Sequence, residues 1–128
     1  MVYITETWLN NTVNDAMIHY RGNYRVFRTD RTTDGGGVCI LGQINPSDKL
    51  TVEQIIRACK YQTLETVVVD VSVGDDKIRL IIVYCPPKYT VDGVTNASLL
   101  EDLLTDVSKV DFSCCVIGDF NLPKVSIR

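Results

Sequence analysis

Histidine is almost missing from this chain. His19 is the only one among 128 residues. It falls in a weakly helical stretch far from every motif below, and no catalytic role is read from it. The five cysteines, Cys39, Cys59, Cys85, Cys114 and Cys115, contain no CxxC pair, which argues against a zinc site or a disulfide framework. Cys39, Cys114 and Cys115 lie inside apolar runs, where a thiol behaves as a small hydrophobe, and an intracellular, reducing compartment is expected. No apolar run approaches the about 20 residues needed to cross a bilayer, and no signal peptide precedes the first strand pattern, so no membrane partner is expected. Overall positive charge is also lacking. A net charge of −3 and an isoelectric point near 5.0 give no global signal for nucleic acid. No Lys-Ser/Thr follows Gly35 to Gly37 at the spacing a P-loop requires, which excludes that nucleotide cradle. No repeat, low-complexity segment or linker appears, so residues 1–128 read as a single domain.

What is present is ordinary globular composition, 45% hydrophobic and 23% charged, rather than disorder. The charge is unevenly distributed. Arg21, Arg25, Arg28 and Arg31 cluster against one acid, Asp30, while the chain from Asp92 to Asp119 is mostly acidic, with Lys109 its only basic residue. The arginines read either as contacts to DNA phosphates or as a solvated strand face.

Alternation and turn residues outline a mixed α/β chain. Val2 to Ile4 begins as a strand and runs into Thr5-Glu6-Thr7, so Glu6 falls at its carboxyl end. Asn10 to Tyr20 reads as loop or weak helix, and "YRVFR" as a half-exposed strand. Three glycines lead into a buried strand, "VCIL". Residues 51–60, "TVEQIIRACK", read as a short helix capped by Thr51 or Ser47. "LETVVVDVSV" puts Val67, Val69, Val71 and Val73 on one face, and "GDDK" turns it into a return strand, "IRLIIVY". Pro86-Pro87 ends that strand just after Tyr84. "TNASLLEDLLTDVSKV" is the clearest helix, with Leu99, Leu100, Leu103, Leu104 and Val107 as its apolar stripe. "FSCCVI" reads as a buried strand that Gly118 breaks ahead of Asp119 and Asn121.

Three strand ends therefore carry polar groups of one kind: Glu6, Tyr84, and Asp119 with Asn121. In layered α/β folds, ligands gather where strands end and loops diverge. Carboxylates and a carboxamide are hard oxygen donors, suited to Mg²⁺ or Mn²⁺ rather than zinc. The competing reading of each acid alone is a turn or cap residue. Trp8 reads as a packing residue beside Glu6 in preference to a base-stacking one.

Taken in order, "ITETWL", "DRTTDGGGVCIL", "VYCPP" and "GDFNLP" resemble the endonuclease/exonuclease/phosphatase superfamily. The resemblance runs from Ile4 to Pro123 and leans towards the endonuclease domain of non-LTR (LINE-like) retrotransposon polyproteins. It implies a partial four-layer α/β/β/α sandwich, DNase I-like, and Mg²⁺- or Mn²⁺-dependent hydrolysis of phosphodiesters. By position it implies Glu6 as the metal ligand, Tyr84 at the scissile phosphate, and Asp119 and Asn121 handling the attacking water and the phosphate. DNA is the implied partner, the nucleus an implied site of action, and a reverse transcriptase an implied neighbour in the parent polyprotein. The chain departs from the pattern in lacking the family's asparagine-bearing first strand and its final Asp-His pair, so that it is expected to hold little more than half a domain. Losing one member of a cooperating catalytic set costs several orders of magnitude in rate, so little nuclease activity is expected from this chain alone. A non-catalytic remnant or interaction module, and a phosphomonoesterase of the same superfamily, are the alternative readings.

Overall fold

The computed structural model describes residues 2–18, 24–30, 36–43, 50–56, 64–86, 90–91 and 94–121. The strands form two main sheets, antiparallel throughout except for one parallel pair in the second. In the first sheet the order is β1-β3-β2, formed by Val2–Thr5, Val38–Gln43 and Tyr24–Thr29. In the second it is β4-β5-β6-β9, formed by Leu50–Ile56, Glu65–Val73, Asp76–Tyr84 and Ser113–Asp119. A two-stranded ribbon, β7 (Thr90–Val91) with β8 (Val94–Thr95), precedes the long helix α2, Asn96–Val107. A single helical turn, α1, spans Asp15–Ile18.

The two sheets pack face to face. Phe27, Val38 and Ile40 of the first meet Val52, Val67, Val69, Val71, Leu80, Ile82 and Tyr84 of the second. The other face of the second sheet, with Val68, Ile81 and Val83, packs against Leu100, Leu103 and Val107 of α2. β5 and β6 are thus covered on both faces, which is why they read as near-continuous valine and isoleucine runs. On the outer face of the first sheet, Arg28 gathers the loop before α1. Its Nη2 donates to Asn10 O at 3.1 Å and to Val13 O, and the guanidinium pairs with Asp15 and Asp30. The layers run loop-and-turn, sheet, sheet, helix, in keeping with the expected four-layer arrangement.

One charged pair lies inside this packing. Asp70 and Arg79 face each other across β5 and β6 in a bidentate contact, 2.7 Å from Nε to Oδ1 and 2.9 Å from Nη2 to Oδ2. Arg79 Nη1 also donates to Val107 O at 2.9 Å, so the pair fastens the last turn of α2 to the sheet. At the other end of that helix Thr95 accepts from Ser98 N at 3.2 Å as its N-cap.

Two expectations give way here. Residues 50–56 form an edge strand, not the start of a helix: Leu50 and Val52 face the core and the strand pairs with β5 through a bulge between Gln54 and Ile56. Pairing to β5 overrides the helical spacing of Val52, Ile55 and Ile56. β9 is not buried, and Gly118 does not break it. Val116 and Ile117 remain 38% and 36% exposed, because α2 covers the interior strands, and β9 pairs on one side only among the described residues.

Candidate active site

β6 and β9 run parallel, in register from Ile78 opposite Ser113 to Tyr84 opposite Asp119. This places the two candidate residues side by side at the carboxyl ends of neighbouring strands. Gly118 makes the approach possible. A Cβ there would lie 2.0 Å from Val83 O, far inside any allowed contact, so the residue ahead of Asp119 has to be glycine. Beyond the strands, Cys85 N donates to Asp119 O at 2.9 Å. Asn121 Nδ2 donates to Cys85 O at 2.8 Å, and Asn121 N donates to Asp119 Oδ1 at 3.3 Å. Asn121 takes up φ +42 to do so. The pair is therefore oriented by a turn folded back on Cys85 rather than by strand alternation alone. Burial, and then the charge of Asp119, push the Cys85 thiol up to about 11, so it stays protonated at neutral pH and is no nucleophile.

β1 lies against both β6 and β9 and delivers Glu6 to the same end. Tyr84 is only 6% exposed, yet its hydroxyl donates to Glu6 Oε1 at 3.2 Å. Glu6 itself is exposed, so a buried phenol holds a solvent-accessible carboxylate. The backbone around it is unusual: Glu6 and Trp8 sit at φ +52 and +56, a left-handed conformation costing about 1–2 kcal/mol for each side-chain-bearing residue. Thr7 N donates to Gly37 O at 3.3 Å and Trp8 N to Gly36 O at 2.9 Å, which holds the segment there. Gly37, at φ +89, has Thr7 Oγ1 only 2.4 Å from where a Cβ would stand.

The glycine run is therefore a seat for the Glu6 segment as well as the approach to β3. Glu65 fixes that seat. Its buried carboxylate accepts from Gly37 N at 2.7 Å, and its position pairs with Tyr84 across β5 and β6. Nothing at sequence level singled out Glu65; the available signal was an acid opening an otherwise apolar strand.

The structure thus brings Glu6, Tyr84, Asp119 and Asn121 to one end of the molecule. Two other candidates are placed differently. Arg28 is occupied by Asn10, Val13, Asp15 and Asp30. Arg25 donates to Val52 O at 3.1 Å and lies over the Phe27 ring. Both guanidinium groups work within the fold, and Arg28 in particular is no free phosphate contact. Trp8, expected to pack, is 66% exposed. His19, Arg21 and Arg31 lie outside the described residues. No described helix is long and apolar enough to cross a membrane.

Neither a protein-family model nor a curated protein matches this sequence. Solved structures do match. D. rerio TDP2, crystallised with a single-stranded DNA product, superposes with a TM-score of 0.56 at 14% identity over 95% of this chain and 48% of that one. A humanised D. rerio TDP2 carrying 14 mutations gives the same score and identity, with 49% of its length covered. The fold is DNase I-like. This chain spans about half the length of the TDP2 structures it matches.

Among the described residues no three His, Cys, Asp or Glu side chains gather as a ready-made ion cage. The donor set nevertheless fits Mg²⁺ or Mn²⁺. Mg²⁺ characteristically keeps several waters and binds through one or two carboxylates plus substrate phosphates, and Glu6 offers an exposed, oriented carboxylate of that kind.

Proposed function

We propose that this site hydrolyses phosphodiester bonds in DNA with a divalent metal, as the endonuclease of a non-LTR retrotransposon. The observation that carries the reading is the 3.2 Å bond between Tyr84 and Glu6, formed at strand ends in register with Asp119. The four ordered motifs support the retrotransposon branch, and the fold shared with TDP2, bound in one structure to a single-stranded DNA product, supports a nucleic-acid substrate.

Glu6 would hold the Mg²⁺ or Mn²⁺, which when bound polarises the phosphate and offsets charge developing on its oxygens. The remaining work belongs to this chain's side chains. The Tyr84 hydroxyl fixes the Glu6 carboxylate. Asp119 Oδ1 already accepts from the Asn121 backbone, leaving Oδ2 to take the proton of the attacking water. The Asn121 amide keeps one N–H beyond its bond to Cys85 and donates it to a phosphate oxygen. His19 is the sole histidine and falls within none of the four motifs, so full turnover requires a histidine-bearing complement.

The test joins this chain to a segment carrying an Asp-His motif of the same superfamily and follows nicking of supercoiled plasmid with Mg²⁺. Nicking that disappears in Glu6→Gln and Asp119→Asn is expected; a joined protein that never nicks sinks the proposal. The single histidine also favours a second reading, a non-catalytic module. Robust Glu6-dependent nicking by the 128-residue chain alone would rule that out.

A further inference from the structure

We infer that Trp8 is a stacking platform for an unpaired nucleobase beside the phosphate site, so that the substrate strand is single-stranded where it crosses Glu6. The inference rests on the phosphodiester reading above and adds to it which feature of the strand, other than phosphate, is recognised. Its starting point is a side chain that contributes little to folding. Trp8 leaves 66% of its surface in solvent and belongs to neither hydrophobic cluster. A bulky residue with positive φ is a genuine outlier, yet Trp8 is held at φ +56 by its N–H bond to Gly36 O. Conformations of this kind persist where the surroundings over-determine them, and they concentrate at ligand clamps.

The placement is specific. Trp8 follows Glu6 by two residues, and the segment between them is pinned at Thr7 by Gly37. The indole is thus carried by the same fixed backbone as the carboxylate. Beyond it, Arg28 anchors the chain at Asn10 and Val13, so the platform has a rigid mount on both sides.

Charge strengthens the case. The chain carries a net −3, and the two described arginines of the first sheet, Arg25 and Arg28, are engaged by protein oxygens. Phosphate attraction, which usually dominates nucleic-acid affinity, therefore draws nothing from these two guanidinium groups. Stacking on an aromatic ring contributes about 1–3 kcal/mol per base whatever the sequence, and a duplex withholds the faces of its bases from such a ring.

Trp8 is the chain's only tryptophan, so intrinsic fluorescence reports on it alone. The experiment titrates the chain, in Mg²⁺, with a short oligothymidylate and with an abasic oligomer of equal length and phosphate count. The base-bearing strand is expected to quench Trp8 and to bind between about 5-fold and about 150-fold more tightly than the abasic one. Trp8→Ala, its fold verified by circular dichroism, should bring that ratio to about one, and Trp8→Phe, read by fluorescence anisotropy of labelled strands, should retain part of it. Equal binding of both strands overturns the stacking platform while leaving the phosphate site, which Glu6→Gln then tests by weakening both alike. Failure of both strands to bind overturns the platform and the phosphodiester reading together. An indole that acrylamide cannot quench in the free chain overturns the platform by itself.

Discussion

Glu6 and Tyr84 lie 78 residues apart in sequence and meet through one hydrogen bond. Such a contact is worth about 1 kcal/mol to stability, so its importance lies in orientation. Tyr84→Phe should leave thermal stability nearly unchanged. It should lower Mg²⁺-dependent nicking by the joined protein by about 10²–10³-fold, the usual effect of deleting one oriented donor. The glycines make a second residue-scale test. Gly118→Ala puts a methyl group against Val83 O at 2.0 Å, where only backbone movement can relieve it, and should cost about 1–3 kcal/mol while parting Asp119 from Tyr84. Gly74→Ala, in open space at φ +59, should cost about 1–2 kcal/mol of backbone strain and leave nicking intact. Chemical denaturation beside the plasmid assay separates the two.

At the scale of elements, the β5–β6 hairpin and α2 are joined by Asp70 and Arg79. The hydrogen bonds from Arg79 hold the Asp70 carboxyl below its ordinary value, against the opposing effect of burial. A depressed folded value means stability that is present above the unfolded value of about 3.9 and lost as pH falls through the folded one. The wild-type chain should therefore lose stability in that acidic window, and Asp70→Asn should show a shallower loss there. Arg79→Met removes the bidentate partner of a buried carboxylate, leaving it Lys77 Nζ at 3.7 Å, and should cost up to about 3–5 kcal/mol, with Asp70→Leu in the same chain recovering most of it; urea denaturation of the three variants checks both. This hairpin and α2 were readable in advance, since "GDDK" is a turn and the leucines repeat at helical spacing. β4 was not readable, because Val52, Ile55 and Ile56 also fit a helix and the deciding partner, β5, is remote. Glu6, Tyr84 and Asp119 were legible as strand-end polar groups. The left-handed backbone at Glu6 and Trp8 was not, for it is imposed by Gly36 and Gly37, some 30 residues on. The exposure of β9 was hidden for a different reason: "CCVI" records apolarity, while covering depends on layers elsewhere.

Across the whole molecule, layering sorts the thiols. Cys39 and Cys85 are buried, and burial is the main cause that pushes each up to about 11; Cys114 is exposed on β9. Brief alkylation at neutral pH, mapped by mass spectrometry, should label Cys114 well before Cys39 and Cys85, which are reached only on unfolding. The parallel pairing of β6 with β9 has a consequence in time. β5 and β6 are hairpin neighbours and can join within microseconds, whereas β9 reaches β6 only after the chain has passed through α2. Contacts of such long sequence separation are slow to form. Tyr84 and Asp119 therefore become neighbours late in folding, and the end that carries the proposed site takes shape only after the valine-rich hairpin that supports it.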